Sequence, residues 1–224
     1  MKEKASSIQQ SDFAQQKAKA SSLLNIIFSY PTQIENELER VHELLLDNEI
    51  DYFHLRKPDF DYIQFKDYIK QIDANYHYKI VIHDHYGLIG EFDLAGINLN
   101  KKSLNQLAYG DEVDKCFIQP LVLNSRQIEV NRELPNLVTY SAHSLDEINA
   151  LSFDTDYVFL SPIYDSISKE GYSSNFDLSE LKEKLISVNT KVIALGGVKL
   201  GNEEDLKVTG FYGMARLGDF WNNE

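Results

Sequence analysis

From Leu23 onward, short apolar runs alternate with stretches whose apolar residues recur every three or four positions. Leu23 to Ser29 is an apolar run closed by Pro31, the pattern of a buried parallel strand. Ile34, Leu38, Val41 and Leu45 then fall on one helical face. Thr32 and Glu35 stand at capping-box spacing before it. Tyr52 to Leu55 predicts a second strand, and Tyr62, Phe65, Ile69 and Ile72 a second helix. Lys79 to His83, Leu94 to Leu99 and Asn136 to Ser141 predict further strands. Ser144 and Glu147 form another capping-box pair, ahead of Ile148 and Leu151. Tyr157 to Leu160, Lys191 to Leu195 and Gly210 to Ala215 complete the set, with Leu178, Leu181 and Leu185 marking a helix between the first two. Phe117 to Leu123 is also apolar, but Pro120 weakens it as a central strand. Eight strands with interleaved helices predict an α/β fold, a (β/α)8 TIM barrel in a single domain.

Residues 1–21 break the rhythm. They are rich in Ser, Gln, Ala and Lys with one aromatic, Phe13, and read as a polar, disordered extension. The barrel is expected over residues 22–224. At 224 residues and 43% hydrophobic, the chain supports one sizeable core. No apolar run approaches the length of a membrane span. The N-terminus carries no secretion-type apolar segment. The single cysteine, Cys116, excludes an internal disulfide and fits a reducing, cytoplasmic setting. A formal charge of −13 argues against nucleic acid as a partner. It also means that an anionic ligand would need local cations and N–H groups that reverse the overall field.

In such a barrel, chemistry belongs at the C-terminal ends of the strands. Read in order, those ends carry His54, Arg56 and Lys57; His83, Asp84 and His85; Asn98 and Asn100; Ser141 and His143; Ser166, Ser168 and Lys169; Gly196 and Gly197; and Leu217 with Gly218. Ser166, Ser168 and Lys169 put two hydroxyls and an ammonium on one loop. The Gly196–Gly197 turn offers backbone N–H groups at close approach. Together they suit a phosphate. Each feature also has a plainer account. Arg56 and His54 suit a structural ion-pair network, Asp84 a helix N-cap, His143 a packing role, and Tyr157 the core. His42 and His77 read as solvent-facing. Arg216 reads as half of a surface ion pair. His83 and His85 are spaced like a two-imidazole zinc motif, without an evident third ligand.

From Leu24 to Trp221 these pieces, in this order, resemble the thiamine phosphate synthase family, which includes the TenI-type thiazole tautomerases. His54-Leu55-Arg56 matches a Gln/His-Leu-Arg motif, Ile82-His83-Asp84 an Ile-Asn-Asp motif, and Gly96-Ile97-Asn98-Leu99 a Gly-Val-His-Leu motif. Ser141-Ala142-His143, the segment from Ser161 to Lys169 and Ala194 to Val198 match in turn. The resemblance implies a transferase of thiamine biosynthesis. It would join hydroxymethylpyrimidine pyrophosphate to a thiazole phosphate and release pyrophosphate. It implies magnesium on Asp84. Arg56, His83, Ser141 and Lys169 are expected on the pyrophosphate, with His54 and Lys57 at the same strand end. Ser166, Ser168, Gly196, Gly197, Leu217 and Gly218 are expected around the thiazole phosphate.

Three positions depart from the family pattern. Its lysine two residues beyond the arginine falls on Pro58, with Lys57 one position early. Its second magnesium carboxylate falls near Ser103. A serine at the last strand end falls on Gly218. The alternatives are therefore a metal-free thiazole tautomerase using His143 as acid and base, and a non-catalytic phosphate binder or regulator. Small phosphorylated molecules are the implied partners, with homo-oligomerisation open.

Overall fold

The computed structural model describes residues 22–106, 135–165 and 176–222. Eight parallel strands close into a barrel in sequence order, each paired with the next and β8 returning to β1. They are β1 (Leu24–Phe28), β2 (Tyr52–Leu55), β3 (Ile80–Ile82), β4 (Gly96–Asn100), β5 (Leu137–Ala142), β6 (Tyr157–Leu160), β7 (Val192–Ala194) and β8 (Gly213–Arg216). All eight expected strands are present. The Phe117–Leu123 segment and the N-terminal extension lie outside the described residues.

Helices α1 (Glu37–Leu46), α2 (Tyr62–Gln71), α3 (Lys101–Gln106), α4 (Leu145–Asn149), α5 (Leu178–Leu185), α6 (Glu203–Thr209) and α7 (Gly218–Trp221) follow strands along the chain. Among the described residues, no helix is long and apolar enough to cross a membrane.

Strand side chains alternate between two cores, because successive residues of a strand point to opposite faces. Ile26, Phe28, Tyr157, Phe159, Ile193 and Ala215 fill the barrel interior. Ile27, Phe53, Leu55, Ile82, Leu99, Val158 and Ala194 face outward and join the apolar stripes of the helices. The inner set is small, so polar residues complete it.

Local signals hold unevenly. The Thr32–Glu35 capping box does not form. Instead α1 starts at Glu37 behind Asn36, whose φ of 57° is left-handed and whose side chain makes no capping bond. The reason is long-range. The Glu37 carboxylate accepts from the Tyr30 N–H at 3.0 Å and from Lys57 Nζ at 2.5 Å, and both charged groups are buried. α2 opens with a capping box between Asp61 and Gln64. Ser144 caps α4 by accepting from the Glu147 N–H. Glu147 itself turns to the His143 N–H and the Tyr140 hydroxyl, so the box is half-closed. His77 is not solvent-facing: it is buried, and its Nε2 lies 3.0 Å from the Ile72 carbonyl and 3.2 Å from that of Ile69.

The Glu37–Lys57 pair has a large consequence for stability. Burial pushes the Glu37 carboxyl up and the Lys57 ammonium down, against the attraction that each supplies to the other. Removing one partner leaves the other charge buried alone. Lys57→Met is expected to cost about 3–5 kcal/mol, and adding Glu37→Gln to recover most of it. Urea unfolding of the two variants checks this. Equal losses in single and double variants would contradict it.

Candidate active site at the barrel mouth

The two-residue alternation decides which residues of the His54–Lys57 segment reach the mouth. His54 points inward and is fully buried; Lys57 points outward and is 1% exposed. Arg56 is exposed at the rim. Its backbone is clamped by Ser29, whose Oγ accepts from the Arg56 N–H at 2.8 Å and donates to its carbonyl at 2.9 Å. Among the described residues, the Arg56 guanidinium makes no ion pair. Lys57 is a correction to the sequence reading. It lies between the Phe60 and Tyr68 rings, with Nζ on Glu37 and the Thr32 carbonyl. It cannot substitute for a lysine at Pro58, because a shift of one residue along a strand moves the side chain to the other face.

Below Arg56 a polar column runs through the barrel. The Tyr157 hydroxyl is 2.7 Å from His54 Nε2, and His54 Nδ1 is 2.9 Å from His83 Nε2. Asn98 Nδ2 donates to His83 Nδ1 at 3.2 Å and to Ser141 Oγ at 3.0 Å. The Thr139 hydroxyl is 2.9 Å from Asn98 Oδ1. Phe28 stacks on His54 at 5.0 Å, and Phe159 meets the same ring edge-on. Tyr86 closes the side, its hydroxyl within 3.0 Å of the His83 and Asn98 carbonyls.

Burial pulls the His54 pKa far below the usual imidazole value, and neighbouring His83 adds to it. Burial, with the Arg56 guanidinium nearby, pulls His83 down to about 3. Both rings are neutral near neutral pH. All four of their nitrogens are engaged, so the expected direct contacts of His54 and His83 with substrate are revised. The zinc spacing also fails to converge. His83 turns into the barrel, whereas His85 Nε2 lies 3.0 Å from the Phe60 carbonyl and its ring packs against Phe65.

Asp84 stands half-buried at the β3 end. Ser103 supplies no matching ligand. Its hydroxyl accepts from the Asn100 N–H and donates to the Asn100 carbonyl, which closes the turn into α3. Among the described residues, no cluster of three or more His, Cys, Asp or Glu forms a metal site. One carboxylate at an open rim fits magnesium better than zinc, since magnesium keeps waters and takes phosphate oxygens. Ser141 is half-buried and His143 exposed. His143 Nδ1 lies 3.1 Å from the Ser161 carbonyl and 3.3 Å from the Ser161 hydroxyl.

Across the mouth, Gly196 and Gly197 have φ of 85° and 67°. A Cβ on Gly196 would meet Pro162 at 2.8 Å; one on Gly197 would meet the Asp165 carbonyl at 2.3 Å. Only glycine lets this turn pack under the loop after β6. Ser166, Ser168 and Lys169 lie outside the described residues. Leu217 and Gly218 open α7. Arg216 is buried rather than at the surface, 3.6 Å from Asp219. A cavity of about 770 Å³ lies at the opposite end of the barrel, lined by Leu24, Asp51, Tyr52, Tyr157 and Lys191 among others. Its size does not make it the reaction centre, because the convergent donors sit at the other end.

Thr139 is the column member that the sequence did not bring forward; Asn98 stood out there only as a strand-end residue and Tyr157 only as core. The signal available was the two-residue spacing of Asn98 with Asn100 and of Thr139 with Ser141. Tyr157 gave none, because a tyrosine in an apolar strand is read as core.

A family model described as thiamine monophosphate synthase matches residues 123–219. The crystal structure of a thiamine phosphate pyrophosphorylase from Bacteroides thetaiotaomicron superposes with a TM-score of 0.64 at 30% identity, covering 90% of this chain and 86% of that one. A thiamine phosphate pyrophosphorylase from Pyrococcus furiosus gives 0.60 at 18% identity, over 90% of this chain and 88% of that one, a likeness of fold. A thiamine-phosphate synthase from Prochlorococcus marinus (strain AS9601) is 23% identical over 202 residues, which is 89% of this chain and 52% of that protein. The chain thus spans about half the length of that relative.

The neutral His54 ring sets a pH dependence. Below pH ~6.5 the unfolded chain takes up a proton that the folded chain refuses. Stability is therefore full above that pH and falls as pH drops, by about 1.4 kcal/mol per pH unit for this ring. Urea unfolding between pH ~4.5 and ~7.5 should show the slope. His54→Gln should remove this ring's share of the slope and leave that of His83, and an unchanged slope would count against the assignment.

Proposed function

The chain belongs to the thiamine phosphate synthase and TenI family, and on that footing we propose that it is a thiamine phosphate synthase. The observation that carries the reading is the rim. An exposed guanidinium, fixed through its backbone by Ser29, stands above a neutral polar column that ends at Ser141. Asp84 lies on the next strand. These are the parts needed to stabilise a departing polyanion in a protein whose overall charge repels one.

In the proposed reaction the C–O bond between the pyrimidine methylene and pyrophosphate breaks, and its electron pair leaves with pyrophosphate. The thiazole nitrogen lone pair then forms the C–N bond, and no proton transfer is required. Arg56 and Lys169 aim positive charge at the leaving group, and Ser141 donates a hydrogen bond to it. Ser166, Ser168 and the Gly197 and Gly218 N–H groups hold the thiazole phosphate and so keep the nucleophile in line. Asp84 would hold a magnesium ion together with pyrophosphate oxygens, and that ion supplies charge neutralisation. With Ser103 closed into its turn, magnesium affinity leans on the substrate.

A second reading rests on His143. Its exposed imidazole at the rim, held to Ser161 through Nδ1, suits proton exchange on a thiazole phosphate, a tautomerase reaction without metal or leaving group.

Both substrates with magnesium should release pyrophosphate. Arg56→Ala should lower kcat/KM about 100- to 1,000-fold, the scale of losing one donor aimed at developing charge. Asp84→Asn should raise the magnesium concentration needed for half-maximal rate. Near-normal turnover by Arg56→Ala would sink the synthase reading. Metal-independent proton exchange, lost in His143→Gln, would establish the second.

A further inference from the structure

Asn98 is the junction of the polar column. Its amide orientation is not arbitrary: the two Nδ2 hydrogens are shared among the Leu99 carbonyl at 3.2 Å, His83 Nδ1 and Ser141 Oγ, and Oδ1 faces the Thr139 hydroxyl. A backbone carbonyl can only accept, so the nitrogen must lie on that side. Nδ2 therefore donates to His83 Nδ1, and His83 carries its proton on Nε2. That proton goes to His54 Nδ1. His54 in turn carries its proton on Nε2 and gives it to the Tyr157 oxygen. One amide orientation thus fixes two tautomers. Asn98, His54, Tyr157 and His83 are all at most 4% exposed, so water cannot replace a lost partner cheaply.

The upper end of the column is Ser141. Its Oγ accepts from Asn98 Nδ2. Within the barrel its own hydroxyl donates to Asn98 Oδ1 over a long 3.4 Å, a bond that an anion at the mouth can replace.

From this geometry, and resting on the synthase reading, we infer that Tyr157, His54, His83 and Asn98 are positioning residues. They hold Ser141 Oγ as an acceptor from below, so that its hydroxyl points at the bound pyrophosphate group. His83 and Asn98 touch across neighbouring strands, so exchanging the two side chains would reverse the ends of one amide–imidazole bond.

The exchange supplies the experiment. His83→Asn, Asn98→His, the double variant and Tyr157→Phe are compared with wild type for inorganic pyrophosphate binding by calorimetry with magnesium. The same set is measured for kcat and KM, thermal midpoint and imidazole 15N spectra. Each single exchange should weaken pyrophosphate binding about tenfold or more, the scale of one buried bond left unmade. The double variant should return to within about threefold of wild type. Tyr157→Phe keeps the ring and removes the acceptor for His54 Nε2–H. It should shift the imidazole nitrogen signals and weaken pyrophosphate binding.

The inference is overturned if the double variant carries the product of the two single losses. It is also overturned if the variants lower only the thermal midpoint while pyrophosphate affinity stays constant. If wild type binds pyrophosphate with the rescue pattern but joins no substrates, the column stands and the synthase reading fails. If wild type is an active synthase without rescue, the reverse holds.

Discussion

Everything at the mouth of this barrel depends on the two-residue alternation of parallel strands in a closed sheet. The interior takes every second residue of eight strands and nothing else. At the end of β2 that rule separates neighbours completely. His54 enters the barrel, Arg56 reaches the rim two residues later, and Lys57 turns outward into the helical layer. Composition alone would place two cations beside one anion site. Geometry leaves one exposed at the rim and commits the other to Glu37.

The interior then faces a filling problem. Apolar residues occupy only part of it, and the remainder is His54, His83, Asn98, Thr139 and the Tyr157 hydroxyl. Polar atoms in that position must bond to one another, because no solvent reaches them. Neutral imidazoles are the outcome, since a charge there would lack both water and a counterion. The cationic side chain of the β2 end stays outside, where its field reaches the mouth. A protein of formal charge −13 thus carries an exposed guanidinium at the rim of its barrel.

The same economy governs the opposite wall. Gly196 and Gly197 are forced by close approach as well as by left-handed φ, and the loop after β6 rests directly on them. Ser103 shows the converse. A residue in register with a motif position is spent on closing the strand-to-helix turn, so the local backbone has first use of its hydroxyl.

The sequence by itself determined the barrel. Eight runs of apolar residues separated by helical spacing leave few alternatives, and strand polarity places the rim residues Arg56, Asp84, Ser141 and Gly197 at one end. It also carried the family, because those motifs lie at strand ends where order and spacing are legible. Only the tertiary structure decided partners. That Lys57 pairs with Glu37, that α1 starts at Glu37 rather than after Thr32, and that His77 is buried all follow from contacts across the fold. The role of Tyr157 shows the limit most clearly. Its bond to His54 spans 103 positions. A local pattern records which face a residue takes, but the group it meets there is set by how the sheet closes.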